Sequence, residues 1–146
     1  MAQKVVSIVD TAYRATLEEQ DDTVVWFNHM IRQSGAEVTL LLTGNAVNYA
    51  VRGQQPPALS FGTAAIASPP RLDQDLLKAA QAGVKLALVR DDAEMRGIPA
   101  SALLPEVEQI SRARSAPPRA AGHWLECHAS PRRPAPGPAS RQPARP

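Results

Sequence analysis

The sequence has one cysteine, few aromatic residues and no long apolar run, and each shortage excludes a class of protein. A single cysteine, Cys127, excludes an internal disulfide and any paired-cysteine metal motif. Aromatic residues make up 4% of the chain, so the 44% hydrophobic content must form an aliphatic core. No stretch approaches the ~20 consecutive apolar residues of a membrane helix, and no secretion signal is recognisable. We therefore expect a cytoplasmic protein without a membrane partner.

Two motifs that bind phosphate are also missing. Neither G-x-G-x-x-G nor G-x-x-x-x-G-K-[ST] occurs in the sequence. His29, His123 and His128 do not have the spacing of a metal-binding set, and His29 is interpreted as a residue on a helix surface. The sequence therefore predicts no cofactor and assigns no metal ligand.

The formal net charge of +2 hides an uneven distribution. Residues 1–112 hold ten Lys and Arg against thirteen Asp and Glu, whereas residues 113–146 hold six Arg and one Glu. A folded nucleic-acid-binding domain carries its positive charge on its own surface. Because the basic charge lies in the C-terminal segment, we expect no nucleic-acid partner.

The composition divides the chain near residue 112 into a domain, residues 1–112, and a tail, residues 113–146. The tail holds eight of the fourteen prolines, which remove backbone donors and fix φ, so it is predicted to be disordered. Within it, "AGHWLECH" (121–128) is the segment suited to contact another surface. Cys127 lies there among His123, Glu126 and His128, but a disordered segment does not pre-organise a nucleophile. Both a natural extension and a shifted reading frame remain open as the origin of this tail.

Strand and helix patterns alternate along the domain. Apolar, β-branched runs predict four strands: "KVVSIV" (4–9), "AEVTLLLT" (36–43), "VKLALV" (84–89) and "VEQI" (107–110). Helices are predicted from Thr16, through an apolar stripe, to Gly35, and at 44–53, 71–83 and 99–104. The stripe of the first helix consists of Val24, Phe27, Met30 and Ile31. Residues 53–70, with four prolines, are predicted to be a long loop.

This alternation predicts an α/β fold, with helices on both faces of a sheet. The domain is expected to have three layers and a mostly parallel sheet of about four to five strands. Such sheets bind ligands outside the carboxyl ends of their strands, where three loops are expected to meet. The candidate ligand-binding residues in these loops are Asp10, Thr11, Tyr13, Gly44, Asn45, Arg90, Asp91, Asp92 and Arg96.

The carboxylates of this group allow two interpretations. Asp10, Asp91 and Asp92 at one sheet edge could hold Mg²⁺, which needs few protein ligands, and this suggests a metal-dependent enzyme or switch. Alternatively, Asp91 and Asp92 cap a helix or lie in a solvated loop, where Arg90 and Arg96 neutralise their charge. Asn45 is expected to begin its helix as a side-chain cap.

Three stretches in this order resemble the DsrE/DsrF-like family of small α/β proteins, which includes the YchN-like proteins. They are "GAEVTLLLTGNAV" (35–47), "LLKAAQAGVKLALV" (76–89) and "RGIP" (96–99). The resemblance implies the fold of that family, a link to intracellular sulfur relay and assembly into trimers or hexamers. It also implies a site cysteine after the third strand, but the matching positions hold Val89 and Asp92, which cannot carry a persulfide.

The resemblance therefore implies a binding or partner subunit related to sulfur relay, with no catalytic residue assigned. Its expected partners are further copies of the chain and a sulfur-carrier or paralogous DsrE-like protein. An apolar helix face carrying Trp26 and Met30 could mediate assembly, although Trp26 could equally belong to the core. A metal-dependent enzyme and a purely structural oligomer subunit are the alternatives.

Overall fold

Five strands form one parallel sheet in the computed structural model, which describes residues 3–12, 23–55, 60–65, 70–115 and 123–127. The order across the sheet is β6-β5-β2-β1-β7, and every neighbouring pair is parallel. The strands are β1 (Lys4–Val9), β2 (Glu37–Leu42), β5 (Lys85–Val89), β6 (Val107–Ile110) and β7 (His123–Cys127). A separate short hairpin pairs β3 (Ser60–Phe61) with β4 (Ala64–Ala65). The predicted α/β class and parallel sheet are confirmed.

Helices connect and flank these strands. The α-helices are α1 (Thr23–Gln33), α2 (Leu72–Gln81), α3 (Arg90–Glu94) and α4 (Arg112–Ser115). Two 3₁₀ helices span Gly44–Ala50 and Ala100–Ala102. The predicted start of the first helix, with Thr16 and Glu19, lies outside the described residues. Gly35 has a φ of 98°, which confirms the predicted left-handed residue after this helix.

The core is aliphatic, as the shortage of aromatic residues requires. Alternate residues of β2 and β5 point to opposite faces of the sheet, and these two faces pack into separate clusters. The larger cluster lies under α1 and α2 and includes the fully buried Leu40, Leu42, Leu76 and Leu88. The opposite face carries a smaller cluster of Leu41, Ala87 and Val89, with partly buried Ile8 and Ile110 packed against it.

Helix α1 buries a different face from the one predicted. Val25 and Asn28 are its buried residues, and Val24 and Ile31 pack partly buried against the core. Phe27 and Met30, which the apolar stripe placed inward, are exposed. The buried face includes Asn28 because its Nδ2 donates to Ser7 Oγ of β1 at 3.1 Å. This hydrogen bond joins the buried face of the helix to the sheet, and hydrophobic spacing alone does not predict it.

Three further expectations require correction. Arg90–Asp92 form the first turn of α3 instead of a loop. The long loop at 53–70 contains the β3–β4 hairpin, and four residues on each side of that hairpin lie outside the described part. The tail prediction does not hold at residues 113–115, which belong to α4, nor at 123–127, which form β7 beside β1. The rest of the tail lies outside the described residues.

A buried carboxylate stabilises the turn that follows the first 3₁₀ helix. Asp73, at the start of α2, is 1% exposed, and its Oδ2 accepts the backbone N–H groups of Gly53 and Gln54 at 3.0 and 3.3 Å. Backbone donors in a turn need acceptors when they are removed from water. Asp73 therefore attaches this turn to α2 and supports the segment that leads away from the sheet edge.

Candidate functional site

The carboxyl ends of the parallel strands meet at one edge of the sheet. The register aligns Val9 with Leu42, Leu42 with Leu88, and Val89 with Ile110. The residues immediately after β1, β2 and β5 therefore lie side by side. We call Asp10, Thr11, Gly44, Asn45, Asp91, Asp92, Arg96 and Arg112 the strand-end rim.

Backbone contacts hold the ends of β1 and β2 together in this rim. The N–H of Thr43 donates to the carbonyl of Val9 at 2.8 Å, and the N–H of Asn45 donates to the carbonyl of Asp10 at 2.9 Å. Between them, Gly44 has a φ of 52°, and a Cβ atom there would lie 2.7 Å from the carbonyl oxygen of Asp10. Glycine is therefore required both for its left-handed conformation and for this close backbone approach.

Asp92 connects three segments of the rim through one buried carboxylate. The residue is 5% exposed. Its Oδ2 accepts the backbone N–H of Gly44 at 2.9 Å, and its Oδ1 accepts Nη2 of Arg112 at 2.5 Å. Helix α3 is thereby attached both to the turn after β2 and to the residue that begins α4.

Arg96 is held against the same turn by three hydrogen bonds. Its Nε and Nη2 donate to Oδ1 of Asn45 at 3.1 and 2.8 Å, and its Nη1 donates to the carbonyl of Asp92 at 2.9 Å. The side chain of Asn45 therefore binds a guanidinium and does not cap its helix as predicted, since Thr43 is the N-cap residue. The guanidinium is oriented at the rim, where it can face an anionic or carbonyl-bearing partner.

The ion pairs also differ from the predicted ones. Arg90 pairs with Glu94 at 3.5 Å along α3, and its charge also helps to lower the pKa of Asp91. The ion pair with Asp92 is formed by Arg112, which the sequence pattern placed at the boundary of the tail and outside the site. Its position after β6, the fourth parallel strand, was the available signal, because the end of β6 reaches the same edge of the sheet. Thr11 donates to Oδ1 of Asp10 at 2.8 Å, and Tyr13 lies outside the described residues.

Asp91 is the rim carboxylate whose pKa is shifted. The backbone N–H of Arg112 donates to its Oδ2 at 2.9 Å, and chiefly because of this bond the pKa of Asp91 lies below its ordinary value. A carboxylate with a lowered pKa in the folded state stabilises the fold above its unfolded pKa. This contribution is lost as the pH falls through the lower folded value. The link between α3 and α4 should therefore persist at neutral pH and weaken below about pH 4.

We expect the carboxyl carbon of Asp91 to titrate, by NMR, with a midpoint below the ~3.9 of an unperturbed aspartate. Arg112→Ala should preserve most of this depression because it keeps the backbone N–H. Arg112→Pro should remove the largest contribution to it, because proline has no N–H to donate, and should leave the contribution of Arg90. Equal midpoints in the two variants would show that the backbone N–H of residue 112 is not what lowers this pKa.

The rim carboxylates are bound to donors within the chain and do not converge on a common point. Asp92 is occupied by Gly44 and Arg112, Asp91 by Arg112, and Asp10 accepts from Thr11. Within the described ranges, no three His, Cys, Asp or Glu side chains are grouped so that they could hold a metal ion. The chemistry of the rim is therefore that of positioned guanidinium groups.

The register of β7 brings the cysteine to the same edge of the sheet. His123 is aligned with Val5, and Cys127 is aligned with Val9, the last residue of β1. Cys127 therefore ends its strand level with the residue that precedes Asp10. The segment that carries Cys127 thus adds a strand to the sheet, although its composition predicted a disordered tail.

A single parallel sheet in this order, with its strand ends forming the rim and helices on its sides, defines a YchN-like α/β fold. The crystal structure of the ychN protein from E. coli matches with a TM-score of 0.61 and 20% identity, covering 87% of this chain and 100% of that one. The unknown-function protein MTH1491 from Methanobacterium thermoautotrophicum matches at 0.59 with 10% identity, covering 86% and 99% of the two chains. The unknown-function protein BT1422 from Bacteroides thetaiotaomicron matches at 0.58 with 12% identity, covering 86% and 95%.

The two sequence comparisons found no match. No protein-family model matches the chain, and no curated protein matches it either. The fold is therefore established by structure alone. In the part of the chain that the structure describes, none of the helices has the length and apolar character to cross a membrane.

Proposed function

We propose that the chain is a DsrE/DsrF-like binding or partner subunit related to intracellular sulfur relay. It acts in the cytoplasm, assembles with copies of itself into trimers or hexamers, and receives a sulfur-carrier or paralogous DsrE-like partner at the strand-end rim. The observation that carries this proposal is the environment of Asp92. The resemblance implies that this residue matches a position that holds cysteine in the family's sulfur-carrying members, and here it is a buried carboxylate bound to Gly44 and Arg112.

The charges at the rim favour an acidic partner. The side-chain oxygens of Asp91 and Asp92 are engaged by Arg112, whereas the guanidinium groups of Arg96 and Arg112 lie at the surface around them. Guanidinium groups recognise carboxylates and other anions through paired donors. We therefore expect the partner to present an acidic segment, such as a chain terminus or an acidic loop, to Arg96.

Arg96→Ala should lower recovery of the partner at least tenfold when the immobilised full chain is incubated with lysate from its source cells. Quantitative mass spectrometry is the measurement, and the expected protein is a cysteine-containing relative of similar size. Lys85→Ala is the matched control, because Lys85 is an exposed cation at the opposite end of the same sheet. Equal recovery by wild type and Arg96→Ala would contradict binding at the rim.

The position of Cys127 favours a second candidate function, in which the chain itself accepts sulfur. The thiolate of Cys127 would attack the outer sulfur of a donor persulfide. The sulfur–sulfur bond of the donor breaks, a persulfide forms on Cys127, and the donor leaves as a thiolate. The register with Val9 ends β7 at the same edge of the sheet as the strand-end rim, which supports this candidate.

Persulfide formation should be at least tenfold faster in the native full chain than in the urea-unfolded chain. The donor is glutathione persulfide, and the measurement is a persulfide-selective label followed by mass spectrometry. Cys127→Ser is the blank, because the sequence has no other cysteine. A rate that is equal or slower in the native chain would exclude this second candidate and leave the binding role intact.

A further inference from the structure

Helix α1 presents three large apolar side chains to solvent. Trp26, Phe27 and Met30 are 53%, 47% and 42% exposed. They lie within one turn and a half of the same helix, and we call them the α1 patch. Among the described residues, the other large hydrophobic side chain with this degree of exposure is Met95. A cluster of this kind, in a chain with few aromatic residues, indicates a contact surface instead of scattered surface residues.

A groove runs beside the patch, between α1 and α2. Its volume is about 250 Å³, and it is lined by Val25, Trp26, His29, Met30, Asp75 and Lys78. The α1 wall is mostly apolar. The α2 wall carries one acid and one base, which pair with each other at 3.0 Å. Because this pair has no net charge, two copies of the groove can face each other without repulsion between like charges.

We propose that the α1 patch is a two-fold interface that receives a second copy of this chain. In such an interface, the same surface of each copy must complement itself. Trp26 and Met30 lie two residues before and two residues after the level of residue 28. When two α1 helices pack antiparallel across an axis at that level, Trp26 of each copy lies against Met30 of the other.

The side chains suit this arrangement. A methionine sulfur packs favourably against an aromatic ring, so the Trp26–Met30 contact is formed twice in each dimer. Phe27 and His29 lie one residue before and one residue after the level of the axis. Phe27 of each copy is therefore level with His29 of the other. Asp75 and Lys78 line the same groove, so each copy brings one acid and one base to the interface.

This proposal rests on the self-association in the proposed function. It assigns that self-association to the α1 patch. It is independent of the strand-end rim, because α1 packs on one face of the sheet whereas the rim lies at its edge. Loss of the interface should therefore leave binding at Arg96 intact. Two trimers also need a two-fold contact between them to form a hexamer, and the α1 patch supplies one.

Trp26→Glu and Met30→Glu, introduced together in the full chain, should raise the dissociation constant for self-association at least a hundredfold. Sedimentation velocity at several protein concentrations measures this change. Met95→Glu is the matched control, because it places the same charge on an exposed methionine away from the patch. Unchanged mass in the double variant would overturn the proposal.

A cross-linking experiment tests the symmetry without changing the patch. Thr23 and Gln33 are exposed and lie five residues on either side of the axis level, about 15 Å apart along the helix. In a Cys127→Ser background, a mixture of Thr23→Cys and Gln33→Cys chains should form disulfide-linked heterodimers under mild oxidation. Each variant alone should remain uncross-linked, because identical positions lie far apart in an antiparallel pair.

The possible outcomes separate the alternatives. Heterodimers confined to the mixture support the two-fold arrangement. An oligomeric chain without cross-links shows that another surface mediates assembly, so this interface is wrong while the proposed self-association remains. A chain that is monomeric at all concentrations overturns both, and the α1 patch then faces a different protein or an apolar ligand.

Discussion

Gly44→Ala should destabilise the protein by at least about 3 kcal/mol, since two independent costs act at this position. The φ of 52° costs an L-residue ~1–2 kcal/mol. In addition, the new Cβ would lie 2.7 Å from the carbonyl oxygen of Asp10, a backbone atom that also accepts the N–H of Asn45. Relief of this clash would separate the ends of β1 and β2 and weaken the hydrogen bonds between them.

Urea-induced unfolding of the full chain measures this effect. Gly97→Ala is the matched control, because Gly97 has a φ of 68° but a Cβ added there would meet no atom within 4 Å. It should lose only about 1 kcal/mol, the cost of the backbone conformation alone. If both variants lose the same free energy, the close approach between Gly44 and Asp10 does not constrain the rim.

Asp92→Ala should destabilise the protein by about 2–3 kcal/mol, and it is the second large effect that we expect. The substitution leaves the N–H of Gly44 without its acceptor and removes the carboxylate that Arg112 contacts. The buried N–H contributes most of the loss. The Arg112 pair contributes less, because the side chain of Arg112 is 62% exposed and solvent screens its charge.

Asp92→Asn separates the two contributions, because its amide oxygen can still accept one hydrogen bond. We expect an intermediate loss of ~1–2 kcal/mol for this variant. Asp75→Ala should change stability by no more than about 0.5 kcal/mol, since the ion pair that it removes is with Lys78, whose side chain is 69% exposed. A double-mutant cycle between Asp92→Ala and Arg112→Ala should give a coupling near ~1 kcal/mol. A loss as small as that of Asp75→Ala would show that Asp92 does not hold the rim together.

The four strands of the domain were predictable because their signal is local. The runs in β1, β2 and β5 are dense in Val, Leu and Ile, and β6 matches the predicted range 107–110. A parallel arrangement follows from the alternation with helices. The meeting of Gly44, Asn45, Asp92 and Arg96 at one edge follows in turn, because parallel strands end on the same side.

The fifth strand was not predictable from composition. The surrounding prolines and arginines indicated a tail without regular structure. Residues 123–127 are too few to show the alternation of apolar and polar residues that marks a strand. Strand β7 forms because β1 offers an unpaired edge whose backbone groups need partners. Edge pairing depends on the neighbouring strand, so it leaves no signal in the tail itself, and the position of Cys127 was missed with it.

The orientation of α1 was missed for a related reason. Hydrophobic spacing favoured burial of Phe27 and Met30, whereas the contact of Asn28 with Ser7 turned a polar residue inward. Arg112 was missed because its contacts with Asp91 and Asp92 join residues about twenty positions apart in the sequence. Such contacts leave no signal in the local composition of the sequence.

By itself, the sequence determined the aliphatic core, the positions of the first four strands along the chain and the edge of the sheet at which their loops gather. These properties depend on the apolar character of consecutive residues, which is a local property of the chain. Only the tertiary structure decided which carboxylate binds which donor, which face of α1 remains exposed and where Cys127 lies. Each of these depends on how segments that are distant in the sequence approach one another in space. Several arrangements share the same local sequence pattern, and a single hydrogen bond or strand pairing selects one of them.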